Sequence, residues 1–210
     1  MHIEVWSDVV CPWCFIGKRR LEQALAAMSG ELGEVSVTHR AFQLDPSATS
    51  DGELTVKYLA EKYGVTQEQA LDMMDDVAES AEAVGLHYDL AKTMHGNTMD
   101  AHRLLLWAQE NGASAALLES MYSGYFEHGR SLFTTDALLA LVAEAGLDTE
   151  AARGVLDSDA FAQGVVDDQQ LAAQMGARGV PFFVIDRKYG ISGAQSLDIF
   201  IDTLRKAATA

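Results

Sequence analysis

The chain has 210 residues, with 31 Asp and Glu against 15 Lys and Arg, and a formal charge of −16. That balance repels nucleic-acid phosphates and anionic membrane surfaces, so neither partner is expected. A hydrophobic content of 49% with three tryptophans suits a packed core rather than disorder, and no run approaches the roughly 18 apolar residues a membrane span needs.

The first residues, Met1-His2-Ile3-Glu4, show no basic stretch leading into an apolar one, so no secretory signal is expected. The expected compartment is therefore the cytoplasm, where thiols are kept mostly reduced. Ile3, Val5 and Trp6 form a short apolar run that predicts a strand, and helical spacing of Ile16, Leu21, Leu25 and Met28 predicts a helix over 15–28. Between them stand Cys11-Pro12-Trp13-Cys14, which hold both cysteines of the chain, with Pro12 at a plausible first helical position. The alternating stretch 35–42 predicts a second strand, parallel to the first because a helix links them.

From Leu54 to about Ala152 the pattern turns helical, with helices predicted over 55–63, 66–84, 99–111, 114–127 and 135–145, and strand signals vanish. Gly64, Gly85, Gly112, Gly129 and Gly146 stand where these helices would stop. A further helix is predicted over 161–175. A strand introduced by Pro181 follows over 179–186, then a hairpin return over 189–192 and a last helix over 196–207. The order βαβ, helices, then αββα is thioredoxin-like: an α/β domain formed by 1–50 and 157–210, interrupted by an all-helical insertion over 51–156.

A C-x-x-C between strand and helix favours a redox dithiol over a metal knuckle. A thiol attacks a disulfide only as its thiolate, and free cysteine has a pKa of about 8.5. Unpaired N–H groups and the macrodipole at the helix start favour negative charge on Cys11. Cys14, one turn on, is expected to be shielded and within reach of the Cys11 sulfur. Trp13 brings no ionisable group, so the couple is expected to be less oxidising than one with histidine there. The alternative is a cysteine pair that merely packs or holds half a zinc site. Structural zinc usually takes four ligands, and there is no second C-x-x-C, so no metal site is expected. A thioredoxin-like site also places a cis proline opposite the C-x-x-C, which makes Val180-Pro181 the expected loop against which a substrate backbone pairs.

Residues 7–18, from Ser7 through Cys11-Pro12-Trp13-Cys14 to Lys18, resemble the active-site segment of the DsbA-like thioredoxin family, FrnE-type branch. So do Phe42-Gln43-Leu44-Asp45-Pro46, 97–104, Gly179-Val180-Pro181-Phe182-Phe183 and Ser192-Gly193-Ala194-Gln195, so the resemblance runs from end to end. The superfamily includes kappa-class glutathione transferases and 2-hydroxychromene-2-carboxylate isomerases, which use serine at the position of Cys11. Retention of both cysteines therefore points to disulfide exchange. Ala41 departs from the pattern, since the family often has proline there. The classical periplasmic enzymes have histidine at the position of Trp13 and a signal peptide, which speaks against a strongly oxidising periplasmic role here.

The resemblance implies a thiol-disulfide oxidoreductase with Cys11 as nucleophile, Cys14 as resolving thiol and Pro181 as substrate clamp. It would work as a reductase or isomerase on disulfide-containing proteins or small thiols, re-reduced by a cellular thiol or a thioredoxin system. A glutathione- or mycothiol-dependent isomerase or transferase is the alternative, with the thiol as co-substrate and no tightly bound cofactor. A third possibility is a non-catalytic peptide-binding module. Pro12, Trp13 and Val180 are expected to line the substrate site, and Gln43, Asn97, His102, Ala194 and Gln195 to be its outer candidates. Asn97 reads equally as a helix-start residue and His102 as a partly buried histidine. His95 is a less specific candidate. The 192–195 turn is either an anion site for a thiol cofactor's carboxylate or simply a tight turn into the last helix. Met73, Met74, Met94 and Met99 read as helical core packing rather than a flexible apolar surface.

Overall fold

The computed structural model describes residues 1–49 and 52–209, so the expected domain boundary at Ser50 and Asp51 lies outside the described residues. β1 (His2–Ser7) leads through the cysteine turn into α1 (Pro12–Ala27) and then β2 (Ser36–Ala41). β1 and β2 are parallel, with Val5 opposite His39 and Ser7 opposite Ala41. β5 (Phe182–Ile185) runs antiparallel on the other side of β1, and β6 (Tyr189–Ser192) closes the hairpin, giving the sheet order β2-β1-β5-β6.

Side chains alternate across a strand, so each strand feeds two cores. Ile3, Val5, Phe183 and Ile185 meet Leu21 and Ala24 of α1, Met28 just past its end, and Phe200 and Leu204 of α9 (Leu197–Ala208) on one face. Trp6, Phe182 and Val184 face α8 (Ala162–Gln174) on the other, where the Trp6 indole N–H donates to the Asp168 carbonyl at 2.8 Å. This sheet with helices on both faces is the thioredoxin-like α/β fold that the element order predicts.

Between β2 and α8 stand α2 (Thr55–Tyr63), α3 (Gln67–Glu82), α4 (Met99–Glu110), α5 (Ser114–Phe126), α6 (Thr135–Glu144) and α7 (Thr149–Leu156). Their limits follow local chemistry. Gly64 ends α2 at φ 66, a left-handed backbone that residues with a Cβ avoid. Thr66 and Gln69 then form a reciprocal capping box that starts α3. α7 carries helix four residues past the point where the helical pattern was expected to fade.

Two strands of two residues were not expected: β3 (Glu53–Leu54) pairs antiparallel with β4 (Met94–His95). They are too short to show a period of two. Their effect is to hold the start of α2 beside His95, with the Thr55 N–H donating to the Thr93 carbonyl at 3.0 Å.

The apolar cluster of the helical segment does not end at the sheet domain. It runs on through Val9, Cys11, Cys14, Phe15 and Ile16. Phe15 stacks on Tyr122 at 4.8 Å, and Tyr88 stacks on Phe126 at 4.9 Å. The start of α1 is therefore gripped by sheet on one side and helices on the other.

Candidate active site

Cys11 is the N-cap of α1, with φ −90 and ψ 110, and Pro12 follows as the first helical residue. The turn is tied by the Cys11 N–H donating to the Asp8 carbonyl at 3.1 Å and the Cys14 N–H to the Cys11 carbonyl at 2.9 Å. No acidic side chain occupies the first turn of α1 to compete for its positive end. The Tyr88 hydroxyl donates to the Pro12 carbonyl at 2.9 Å, fixing the turn from the helical side.

Both cysteines are free thiols. A helix start is ordinarily open to solvent, yet Cys11 is only 5% exposed and Cys14 2%. Packing of the helical segment over α1 buries the turn. What separates the two is direction. Cys11 lines a cleft of about 380 Å³, together with Asp8, Pro12, Trp13 and Val180, whereas Cys14 faces a small cavity against the sheet. Burial pushes the Cys14 thiol well above its usual pKa, and its hydrogen bond with the Cys11 thiol adds to the rise.

The Val180–Pro181 peptide is cis, and the Cys11 thiol donates to the Val180 carbonyl with S···O 3.7 Å. Gly17 lets α1 reach this loop, because a Cβ there would stand 2.9 Å from Pro181 Cγ and 3.1 Å from Phe183 Cζ. Gly17→Ala is expected to lower the melting temperature, although helix propensity alone favours Ala by about 1 kcal/mol. Overpacking against a rigid ring costs about 1–3 kcal/mol, so the net loss is about 1 kcal/mol, or about 2–4 °C. A thermal melt that rises would show that the loop yields freely.

The remaining predicted residues separate. Trp13 stands at the cleft mouth, 39% exposed. Gln43 and Asn97 lie away from Cys11, on a second shallow groove with Pro46 and Met99. Gln43 Nε2 donates to Asn97 Oδ1 at 3.1 Å, and Asn97 Nδ2 donates to the carbonyls of Pro46 and Ala48. Asn97 Oδ1 also accepts the Met99 N–H at 2.9 Å, a helix-start bond. His102 is fully buried rather than partly so, and its Nε2 meets Asp8 Oδ1 at 3.1 Å. Ala194 and Gln195 do not line the cleft. Arg20 donates to both their carbonyls, and the Gly193 N–H donates to the Pro181 carbonyl at 2.8 Å, which ties their turn to the proline loop. Met73 and Met74 line the cleft, and Met74 also belongs to the core.

Two cleft residues, Tyr58 and Lys62, lie outside every motif segment. Tyr58 stacks on His95 with ring centroids 3.4 Å apart, His95 Nε2 meets Asp45 Oδ2 at 3.2 Å, and Lys62 donates to the Tyr58 hydroxyl at 3.1 Å. Asp8 is 1% exposed and links three segments, since its Oδ2 also accepts the Leu44 N–H at 2.7 Å. Its place three residues before Cys11 was the available clue. The departure at Ala41 also has a counterpart: the Ala41 N–H donates to Asp168 Oδ2 at 2.9 Å, a bond proline cannot make.

Among the described residues, no group of three or more His, Cys, Asp or Glu side chains is gathered as metal ligands would be. No helix there is long and apolar enough to cross a membrane.

Residues 2–205 match the DSBA-like thioredoxin domain, and the chain belongs to that family. It is 46% identical to a probable DsbA oxidoreductase from Streptomyces coelicolor whose crystal structure superposes with a TM-score of 0.94, covering 99% of this chain and 89% of that one. A 2-hydroxychromene-2-carboxylate isomerase shares the fold at 17% identity, with a TM-score of 0.74 over 98% of this chain and 95% of that chain. The cytosolic disulfide reductase DsbM from Pseudomonas aeruginosa, solved with GSH, shares it at 17% identity and a TM-score of 0.66, over the whole of both chains. The family and the Streptomyces relative support a thiol-disulfide oxidoreductase.

Proposed function

We propose that the protein is a cytosolic thiol-disulfide oxidoreductase working as a reductase or isomerase, of the FrnE-type branch. The observation that carries this is the asymmetry of the dithiol: Cys11 caps α1 and lines the cleft beside Val180, while Cys14 is turned to the sheet. Cys11 attacks a substrate disulfide, Cys14 resolves the mixed disulfide, and the Val180-Pro181 loop receives the substrate backbone. The domain that carries the dithiol is formed by 1–50 and 157–210, and the helical unit over 51–156 walls the cleft with α2 and α3. A cellular thiol or a thioredoxin system returns the dithiol to its reduced state.

A glutathione- or mycothiol-dependent isomerase or transferase is the second reading. It is favoured by the cleft itself, whose 380 Å³ and lining of Tyr58, Leu59, Met74 and Val77 suit a small molecule. Insulin reduction with a thiol regenerant separates the two. Turnover of insulin that needs both cysteines supports the oxidoreductase. No turnover, with saturable binding of glutathione, supports the isomerase.

Trp13→His is expected to make the disulfide more oxidising. Position 13 lies in the first turn of α1, two residues after Cys11 and one before Cys14, and an imidazole there favours the anionic, reduced dithiol. The shift should be on the order of 30 mV for each pKa unit by which a thiol is lowered. Titration against glutathione buffers reads it, and a potential that stays or falls would remove Trp13 from the governing position.

A further inference from the structure

On the sheet side of the dithiol lies a small cavity of about 10 Å³, the size of a single water. Its polar lining is Ser7 of β1, Cys14 and Lys18 of α1, His39 of β2 and Tyr122 of α5. His39 Nδ1 is shut off from solvent and has no hydrogen-bond partner, one of two such side-chain atoms among the described residues. A buried nitrogen left unpaired costs about 1–3 kcal/mol, so its retention calls for a role. The residue is otherwise only partly buried, because β2 is an edge strand of the sheet.

We propose that His39, through one water held in this cavity, carries the proton of Cys14 out to the solvent side of β2. The inference rests on Cys14 being the resolving thiol. In the mixed disulfide the Cys11 sulfur is bonded to a substrate sulfur. Cys14 gives up its proton and attacks the Cys11 sulfur. The Cys11–Cys14 bond forms as the Cys11–substrate bond breaks, and the substrate sulfur departs as a thiolate with the electron pair. The dithiol is oxidised, the substrate disulfide is reduced, and the Cys14 proton needs an acceptor.

The lining decides which group that is. Lys18 is a cation already held by Glu22 and Glu119, at 2.5 Å and 2.7 Å. The hydroxyls of Ser7 and Tyr122 are far weaker bases than an imidazole, even one as buried as His39. No described residue lining the cavity is Asp or Glu. The groups facing His39 keep it neutral: burial lowers its pKa to about 4, the Lys18 charge lowers it further, and Glu22 opposes them weakly. A neutral imidazole has one free lone pair and one N–H, so it takes a proton at Nδ1 and releases one from Nε2. Burial meanwhile makes the Cys14 thiol reluctant to ionise unaided.

Single-turnover reaction of the reduced protein with 5,5′-dithiobis(2-nitrobenzoate) tests this. The first coloured thiolate released reports attack by Cys11, and the second reports resolution by Cys14. His39→Gln keeps a polar side chain of similar reach but cannot accept the proton, and His39→Phe removes the polarity altogether. In both, the first release should stay within about twofold of wild type, while the second slows on the order of tenfold or more at pH 7. Between pH 6 and 9 the second release should become first order in hydroxide in the variants and stay shallower in wild type. An unchanged second phase, equal slowing of both phases, or an unchanged pH slope would overturn the proposal. If Phe unfolds the protein, the Gln variant decides. A wild-type protein that releases only one equivalent would instead overturn the dithiol function itself.

Discussion

Cys14→Ser will accumulate mixed disulfides through Cys11, and Cys11→Ser will form almost none. With a disulfide substrate in excess, the Cys14 variant should consume one equivalent and stop, and the Cys11 variant should remain at the uncatalysed background. The argument is access followed by chemistry. Cys11 borders the cleft and Cys14 does not, so a substrate sulfur reaches Cys11 first although both side chains are nearly covered. Burial holds the Cys14 thiol protonated above the usual range, so it is a poor first nucleophile and becomes effective once the target sulfur is placed beside it. The serine hydroxyl at position 14 cannot attack, which leaves the adduct in place. Mass mapping of the trapped species identifies the sulfur that carries it. Adducts on Cys14 in the Cys11 variant, at the yield of the reverse experiment, would remove the assigned order of attack.

The depth of Cys11 marks where sequence reasoning stops. Local pattern was enough for β1, α1, β2 and the terminal β5-β6-α9 unit, because alternation and helical spacing follow from burial on one or two faces. It was also enough for Gly64 as a helix stop. The seam between sheet and helical segment was not legible. Phe15, Tyr88 and the Tyr122–Phe126 pair of α5 come from three places in the chain, and nothing in the sequence says that they pack on one another over the thiols. That stack is what turns an exposed helix start into a buried one. The full burial of His102 was not legible for the same reason. Its partner Asp8 is 94 residues away, and only the packed structure brings the two together. His39 left no mark at all, since one histidine in an alternating strand carries no pattern.

Asp8 is where fold and chemistry are most tightly joined, and two substitutions there should part them. Its carboxylate meets the buried His102 nitrogen and the Leu44 N–H, while its backbone carbonyl receives the Cys11 N–H and, at 3.4 Å, the Tyr122 hydroxyl. Asp8→Ala removes both side-chain bonds and leaves a fully buried nitrogen and a part-buried N–H unpaired. The expected loss is about 2–4 kcal/mol, or roughly 4–16 °C in melting temperature for a chain of this size. Asp8→Asn is milder. Its Oδ1 can accept from Leu44 while its Nδ2 donates to His102 Nε2, provided the imidazole carries its proton on Nδ1. What Asn does remove is a negative charge beside the thiols, one of the charges that raise the Cys14 pKa. Without it the anionic, reduced dithiol is favoured, so the disulfide of Asp8→Asn should be more oxidising, on the order of 30 mV for each pKa unit by which a thiol is lowered. Thermal melts and glutathione redox titrations on both variants give the answer. A large stability loss in Ala, a small one in Asn and a raised potential in Asn would assign Asp8 both roles. An unchanged potential in Asn would confine it to holding the cysteine turn in place.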